Sequence, residues 1–179
     1  MDNQQRSIED RLHWLGGIID GEGCITAGAG HTKTGHGYIY KHRRYVPAID
    51  IVNTDPIIIN EIMSILDEVK LPYWANWRKS KAHPEWKLKC DIMITGMKRC
   101  NKAAKKLVKY IIAKRDRALA MIEWTDKRLA MGQREAYTQE DYDLINLIRA
   151  SPIPLRDYTP TSTDNVDDDI VHTTTNLVE

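Results

Sequence analysis

Apolar residues at helical spacing begin within the first ten positions. Ser7 and Asp10 stand three residues apart, which is typical of a helix N-terminus capped by a hydroxyl. Gly21 and Gly23 predict the end of this helix, since glycine tolerates the left-handed turn of a C-terminus. Residues at steps of four, three and four form the buried face: Ile8, Leu12, Leu15 and Ile19.

The apolar period then changes from that of a helix to that of a strand. From Cys24 the sequence predicts a first strand, which glycines interrupt at Gly28 and beyond. A second strand is predicted over 38–53, with Tyr45, Ile49 and Ile51 facing a core. Pro47 predicts an edge strand or a bulge, because proline cannot donate to a ladder.

The same order of elements then repeats. Asp55 and Pro56 suit the N-cap and first position of a second helix. A second hairpin is predicted over 71–80 and 85–95, with Trp86, Leu88, Cys90, Ile92 and Ile94 on its apolar side. Helical stretches follow from Gly96, from Ala113 and from Thr138. The chain therefore predicts an α+β fold: a helix-strand-strand-helix-strand-strand-helix core with extra C-terminal helices on an antiparallel sheet.

Composition divides the chain into two parts. Residues 1–150 are predicted to form one domain, and residues 151–179 an acidic tail rich in proline and threonine. No apolar run approaches the ~20 residues of a membrane span, and the polar N-terminus is unlike a signal peptide. Three cysteines without CxxC spacing argue against a disulfide scaffold or a zinc site. We therefore expect an intracellular, reducing compartment, cytoplasm or organelle matrix.

Charge is distributed unevenly although the whole chain carries only +1. Residues 31–120 contain nineteen Lys and Arg against eight Asp and Glu, whereas the segments before and after are net acidic. A basic block of this kind indicates a polyanion such as nucleic acid, or else a solvated surface with a local excess of lysine.

The end of the first predicted helix carries two unusual features. Gly16 and Gly17 are adjacent within an apolar helix, where each costs about 1 kcal/mol relative to alanine, so a close approach of two backbones is indicated. Asp20 and Glu22 stand at the negative end of the helix dipole, where carboxylates are unfavourable. A bound divalent cation would relieve that repulsion.

Residues Leu15 to Gly23, which read LGGIIDGEG, resemble the LAGLIDADG motif of the homing endonucleases. Gly16 stands for alanine and Glu22 for the second aspartate. The resemblance covers about residues 8–120. It implies a four-stranded, saddle-shaped sheet on double-stranded DNA and a homodimer, because the chain has one motif. The implied interface comprises Leu12, Leu15, Gly16, Gly17 and Asp20.

The resemblance also implies an activity and its residues. We expect a site-specific DNA endonuclease that uses Mg²⁺ (or Mn²⁺) and leaves 3′ overhangs at a long pseudo-palindromic target. Glu22 and the Gly21 carbonyl would bind the metal. Asn53 would orient water, although asparagine before a helix is also a common turn residue. Lys114 would stabilise phosphate charge, unless it is a plain surface lysine.

The outward side of the strands would contact DNA. Arginine and lysine bind guanine edges or phosphates, and aspartate accepts from cytosine. The predicted contacts are Lys33, His36, Tyr38, Tyr40, His42, Arg44, Asp50, Arg78, Lys79, Lys81, Lys87 and Lys89. The tryptophans are assigned to packing rather than to base stacking.

Two other functions are compatible with the same residues. Similar proteins act as intron maturases, so a role in binding structured intron RNA is one alternative. The other is a DNA-binding protein that has lost catalysis. The intact acid at Glu22 favours an active nuclease over the second of these.

Overall fold

The structure, a computed structural model, describes residues 6–29, 44–131 and 135–149. Five helices and four strands follow in the predicted order within these ranges. They are α1 (Ile8–Gly21), β1 (Gly23–Ala29), β2 (Tyr45–Asn53), α2 (Pro56–Glu68), β3 (Trp74–Arg78), β4 (Lys89–Thr95), α3 (Met97–Leu107), α4 (Arg115–Ala130) and α5 (Gln139–Ile148). The strands form one antiparallel sheet in the order β1-β2-β4-β3, which confirms the α+β prediction.

Local capping signals place the helix starts where the sequence predicts them. The Asp10 N–H donates to Ser7 Oγ over 3.2 Å at the start of α1. At α2, Asp55 Oδ1 accepts from the Ile57 N–H over 2.8 Å. Thr138 forms a full capping box at α5. Each contact satisfies a backbone N–H that has no partner within its own helix.

One face of the sheet packs against the helices and forms the core. Alternate residues of β2 and β4 are buried there, as the period-two pattern predicts. On α2 the buried residues are Ile59, Ile62, Ile65 and Leu66, and Ile58 packs partly buried against the same core. The central core side chains are Leu15, Ile19, Ile49, Ile51, Leu66, Ile92, Ile94 and Leu107.

Arg11 ties α1 to α2 at the margin of this core. Its Nε donates to Glu61 Oε1 over 2.8 Å, and its Nη2 donates to Ser64 Oγ over 2.9 Å. A further ion pair joins it to Glu68. The guanidinium thus bridges three successive positions of one helix face, which fixes the two helices side by side.

The prediction that Pro47 marks an edge is wrong, because β2 is an internal strand. Pro47 pairs with Ala27 of β1 but lies one residue beyond Ala48, where pairing with β4 begins. Its carbonyl accepts from the Gly96 N–H on the β4 side. In a strand the backbone N and O of one residue point to the same side, so the nitrogen of Pro47 also points toward β4. Because the ladder between β2 and β4 begins only at Ala48, the missing N–H of Pro47 removes no hydrogen bond from it.

The prediction that the tryptophans serve packing agrees with the structure for only some of them. Trp124 is fully buried, whereas Trp74, Trp77 and Trp86 are 56, 42 and 58 % exposed. The reason for Trp86 is that β4 begins at Lys89 rather than near residue 85. Trp86 and Leu88 therefore precede the strand instead of facing the core.

Several predictions fall outside the described residues. They are the part of the second strand over 38–43, the contacts Lys33, His36, Tyr38, Tyr40 and His42, and the tail over 151–179. Within the described ranges, no helix is long and apolar enough to cross a membrane. Cys24, Cys90 and Cys100 are all free thiols.

The two adjacent glycines of α1 have different surroundings. A Cβ added to Gly16 would lie 2.1 Å from the Tyr110 carbonyl oxygen, so the backbones of α1 and the segment after α3 meet there without a side chain between them. A Cβ added to Gly17 would meet nothing within 4 Å in the same chain. The close approach predicted from the glycine pair thus occurs within the chain at Gly16.

These surroundings predict opposite effects of the same substitution. Gly16→Ala should lower the free energy of unfolding by about 1–3 kcal/mol, because the backbone must move to admit a methyl group. At protein concentrations where the chain is monomeric, Gly17→Ala should leave it unchanged or raise it by up to about 1 kcal/mol through better helix propensity. Urea denaturation at several protein concentrations measures both, and equal losses in the two variants would contradict the packing described.

Candidate active site at the end of the first helix

Glu22 stands where α1 ends and β1 begins. As the C-cap of α1, it donates its backbone N–H to the Ile18 carbonyl over 2.8 Å, while its side chain is exposed. The chain turns sharply into β1 at Gly23, where an added Cβ would lie 2.8 Å from the Ile19 carbonyl oxygen. The glycine therefore lets the strand leave the helix while keeping the Glu22 carboxylate at the surface.

Asn53 reaches the same place from the end of β2. Gly23 pairs with Ile51, so the last residues of β2 lie beside the helix end. Asn53 Nδ2 donates to Glu22 Oε2. The Asn53 carbonyl oxygen Oδ1 meanwhile accepts from the Asp55 N–H over 2.8 Å. Asn53 is therefore a turn residue whose side-chain amide also contacts the Glu22 carboxylate, and its role in orienting water stays a prediction.

Asp20 points inward, away from Glu22. Its two carboxylate oxygens accept from the backbone N–H groups of Ile112 and Lys114 over 2.7 and 2.9 Å. Burial by itself raises the pKa of Asp20, but the backbone N–H groups and the Lys114 charge outweigh burial and hold the pKa below its ordinary value. Asp20 therefore fixes the start of α4 against the end of α1.

Lys114 completes this connection from the other side. Its Nζ donates to the carbonyls of Ile19, Asp20 and Gly23 over 2.9, 2.7 and 2.7 Å. An ammonium has three protons, and all three are used. The cation relieves the repulsion between the helix dipole and the carboxylates of Asp20 and Glu22. In this arrangement Lys114 reinforces the helix end and has no proton left for a phosphate.

The donors that remain for a metal ion are few and are all oxygens. The described ranges contain no group of three or more His, Cys, Asp or Glu side chains able to hold a metal. Glu22 offers an exposed carboxylate, and the Gly21 carbonyl is not among the three that Lys114 binds. Mg²⁺ commonly takes one or two carboxylates and fills its other positions with water and substrate phosphate, so this donor set fits Mg²⁺ as a partial site.

The sheet face opposite the core, the open face, contains part of the predicted DNA-contact set. The strand register places Asp50, Arg78 and Lys89 there together. Lys79, Lys81 and Lys87 are exposed in the connection between β3 and β4, and half-buried Arg44 precedes β2.

Sequence reasoning missed Asp91, which is also on the open face. It is 3 % exposed and forms an ion pair with Arg78 Nε. Alternation along β4 placed it on the polar side, but no sequence signal indicated its burial. Burial raises the pKa of Asp50, and the nearby Asp91 charge adds to this rise, whereas Arg78 and Lys89 oppose it.

Solved structures with the same architecture are homing endonucleases. I-CeuI, encoded in a group I intron and complexed with DNA, matches with a TM-score of 0.61 at 13 % identity, over 84 % of this chain and 70 % of that chain. I-CvuI in complex with its target matches with a TM-score of 0.55 at 18 % identity, over 79 and 81 % of the two chains. The LAGLIDADG homing endonuclease I-LtrWI, bound to target DNA, matches with a TM-score of 0.57 at 18 % identity, over 86 and 47 %.

This chain has the LAGLIDADG homing endonuclease fold. The prediction of that fold from residues 15–23 is thereby confirmed. No protein-family model matches the sequence, and no curated protein matches it. At identities of 12–18 %, the likeness concerns the fold.

Within this LAGLIDADG fold, most of the predicted interface residues of α1 contact other parts of their own chain. Leu12 and Leu15 are 4 and 0 % exposed in the core of their own chain, and Gly16 lies against the Tyr110 carbonyl. Asp20 is bonded to Ile112 and Lys114. Four of the five predicted interface positions therefore make contacts within their own chain, and the interface itself stays a prediction.

The outer side of the LAGLIDADG helix is formed by other residues. Gly17, the fifth predicted interface position, is exposed, as is Gly21 one turn later. His13 is exposed one turn before Gly17, and its ring packs edge-on against Tyr110 at 5.0 Å. Half-buried Trp14 and Ile18 flank this side. Any helix that packs on α1 must approach here, since the opposite side faces the core.

The Asp20 contacts predict a specific loss of acid stability. Because the folded-state pKa of Asp20 lies below its ordinary value of 3.8, its contribution is present above that pH and is lost as the pH falls through the folded-state pKa. Asp20→Asn should lower the free energy of unfolding at pH 7 by about 1.5–3 kcal/mol, the range for hydrogen bonds to a charged group.

Denaturation between pH 2 and 7 checks this prediction. The difference between wild type and Asp20→Asn should shrink as the pH falls. The control is Glu123→Gln, an exposed acid of α4. A difference that stays constant down to pH 2 would contradict the assigned role of the Asp20 charge.

Proposed function

We propose that this chain is a site-specific DNA endonuclease that hydrolyses phosphodiester bonds with Mg²⁺ or Mn²⁺. The observation that carries the proposal is the contact between Glu22 and Asn53 at the end of the LAGLIDADG helix. Two distant segments bring an exposed carboxylate and a side-chain amide together there, and neither group is needed by the core. Solved homing endonucleases of this fold, such as I-CeuI, are complexed with DNA.

Each residue of the site has a distinct role in the proposed reaction. Glu22 and the Gly21 carbonyl would hold the metal, which supplies activation of a water and stabilisation of the leaving 3′ oxygen. Asn53 orients the Glu22 carboxylate through Nδ2. Lys114 fixes the helix end and places a positive charge beside the site, which favours binding of an anionic phosphate. Lys114 is thus a positioning residue in this proposal.

Cleavage of both strands calls for two such sites, which a homodimer supplies. We propose that the exposed side of α1 around Gly17 packs against the same helix of a second chain. A Cβ at Gly17 meets nothing in its own chain, so a close approach of two helices is open there. Two-fold symmetry would make the target pseudo-palindromic.

The proposal also assigns a setting. I-CeuI is encoded in a group I intron, and we propose that this chain is intron-encoded as well. We place it in a reducing compartment, where Cys24, Cys90 and Cys100 would stay free thiols.

One observation favours RNA as a second candidate partner. Trp86 is exposed in the connection between β3 and β4, next in sequence to the exposed Lys87. Exposed aromatic rings with basic neighbours suit stacking on unpaired bases, which single-stranded RNA offers and duplex DNA does not. Binding to the intron RNA without cleavage of any duplex would favour this maturase function.

Glu22→Gln tests the proposed catalysis. Target duplexes selected from a randomised DNA library should be cut by wild type in Mg²⁺ and left intact in EDTA. Glu22→Gln should abolish cleavage, because the neutral amide is a poor metal ligand, while binding measured by gel shift persists. Glu123→Gln serves as the matched control. Cleavage by Glu22→Gln at the wild-type rate would contradict the catalytic assignment.

Gly17→Leu tests the proposed dimer. A leucine side chain on the outer side of α1 should hold two helices apart and reduce the mass from two chains to one in light scattering. Asn60→Leu, on the exposed side of α2, is the control and should leave the mass unchanged. A Gly17→Leu protein that still has the mass of two chains would rule out this interface.

A further inference from the structure

An ion pair on the open face has no part in the proposed cleavage chemistry. Arg78 on the edge strand β3 contacts Asp91 Oδ2 through Nε. The two partners differ in exposure, since the Asp91 side chain is 4 % exposed and that of Arg78 is 56 % exposed. A buried acid therefore holds the inner edge of a guanidinium whose outer part faces solvent.

Strand register explains how the contact forms. Arg78 pairs directly with Lys89, and Asn76 pairs directly with Asp91. Asp91 is thus the diagonal neighbour of Arg78 on the next strand inward, within reach of a long side chain. The Arg78 side chain lies across the sheet instead of extending freely from its edge, and this limits its conformations.

The edge of the Arg78 guanidinium that contacts Asp91 determines which N–H donors remain for a ligand. A contact along the Nε edge leaves the end of the group, with its two Nη atoms, directed away from the carboxylate. That end carries parallel N–H donors in a rigid fork. Guanine O6 and N7 form the matching pair of acceptors in the major groove, and bidentate arginine is the commonest specific contact to that base.

Burying the charged carboxylate of Asp91 costs free energy of folding. Its second oxygen, Oδ1, is buried without a hydrogen-bond partner in the described part of the chain, as is Oδ1 of Asp50. The charge of Asp91 also disfavours the ionised form of Asp50. Among the residues that the structure describes, Arg78 is the cation in contact with Asp91. A group buried at such cost calls for an explanation, and holding Arg78 supplies one.

We propose that Asp91 is a positioning residue that holds Arg78 to recognise one guanine in each half of the DNA target. This inference rests on the proposed function, since it requires duplex DNA on the open face. It adds a base identity and the residue pair that reads it. Lys79 and Lys81, which are exposed beyond the end of β3, would bind phosphates without sequence preference.

The test compares the binding motifs of full-length variants. Each protein selects from the same randomised duplex library, and the bound fraction is sequenced. Wild type should yield a motif with a guanine at one position of each half-site. Arg78→Lys keeps the charge but removes the fork, and Asp91→Asn keeps the shape but removes the countercharge. Both should lose about tenfold in preference at that same position.

Two controls separate positioning from general damage. Lys81→Gln should weaken binding to all sequences, lower its salt dependence and leave the motif unchanged. Circular dichroism melting establishes that each variant is folded at the selection temperature. If Asp91→Asn does not fold, Arg78→Lys and Arg78→Gln still decide whether a guanine position depends on Arg78.

The outcomes distinguish this inference from the proposed function. A loss of preference at the same guanine position in Arg78→Lys and Asp91→Asn supports the inference. Variant motifs identical to the wild-type motif would overturn it and leave the endonuclease proposal standing. A uniform loss in Asp91→Asn across all positions, with Arg78→Lys unchanged, would also overturn it, because Asp91 would then only support the sheet. Wild-type protein that selects no motif would contradict the proposed function itself.

Discussion

The reciprocal contact between Asp20 and Lys114 is the interaction on which the candidate site depends. Asp20 accepts from two backbone N–H groups just before α4, while the Lys114 ammonium donates to three carbonyls where α1 ends and β1 begins. Each side chain satisfies the exposed backbone groups of the other helix terminus. The helix end is thereby rigid, and Glu22, two residues after Asp20, has a fixed starting point.

Two acids at one helix terminus could repel each other, and the fold separates their roles. Asp20 turns inward, where backbone N–H groups lower its pKa, and is used for structure. Glu22 stays exposed, where Asn53 contacts it. The inward acid and Lys114 offset the unfavourable end of the dipole, so the outward acid is free for a ligand. Asp20 thus anchors the turn within the chain, while Glu22 in the same turn presents an exposed carboxylate.

On the open face, too, a buried residue supports a neighbouring residue that is exposed to solvent. Buried Asp91 supports exposed Arg78, as inward Asp20 supports the turn that carries Glu22. In both places the carboxylate contacts a group of its own chain and is not left for a ligand. The group left facing solvent is held in one orientation, which reduces the entropy that a ligand must remove on binding.

The sequence by itself determined the order of elements, the helix starts and the position of Glu22 at the end of the first helix. Capping residues such as Ser7 and Asp55 act within a few positions, and the motif over 15–23 is contiguous, so local rules reach them. Only the tertiary structure decided which glycine of the pair is packed, that Leu15 serves its own core, and that Asp91 is buried beneath Arg78. Those outcomes depend on residues far apart in sequence, such as Gly16 and Tyr110, and no local pattern encodes their distance.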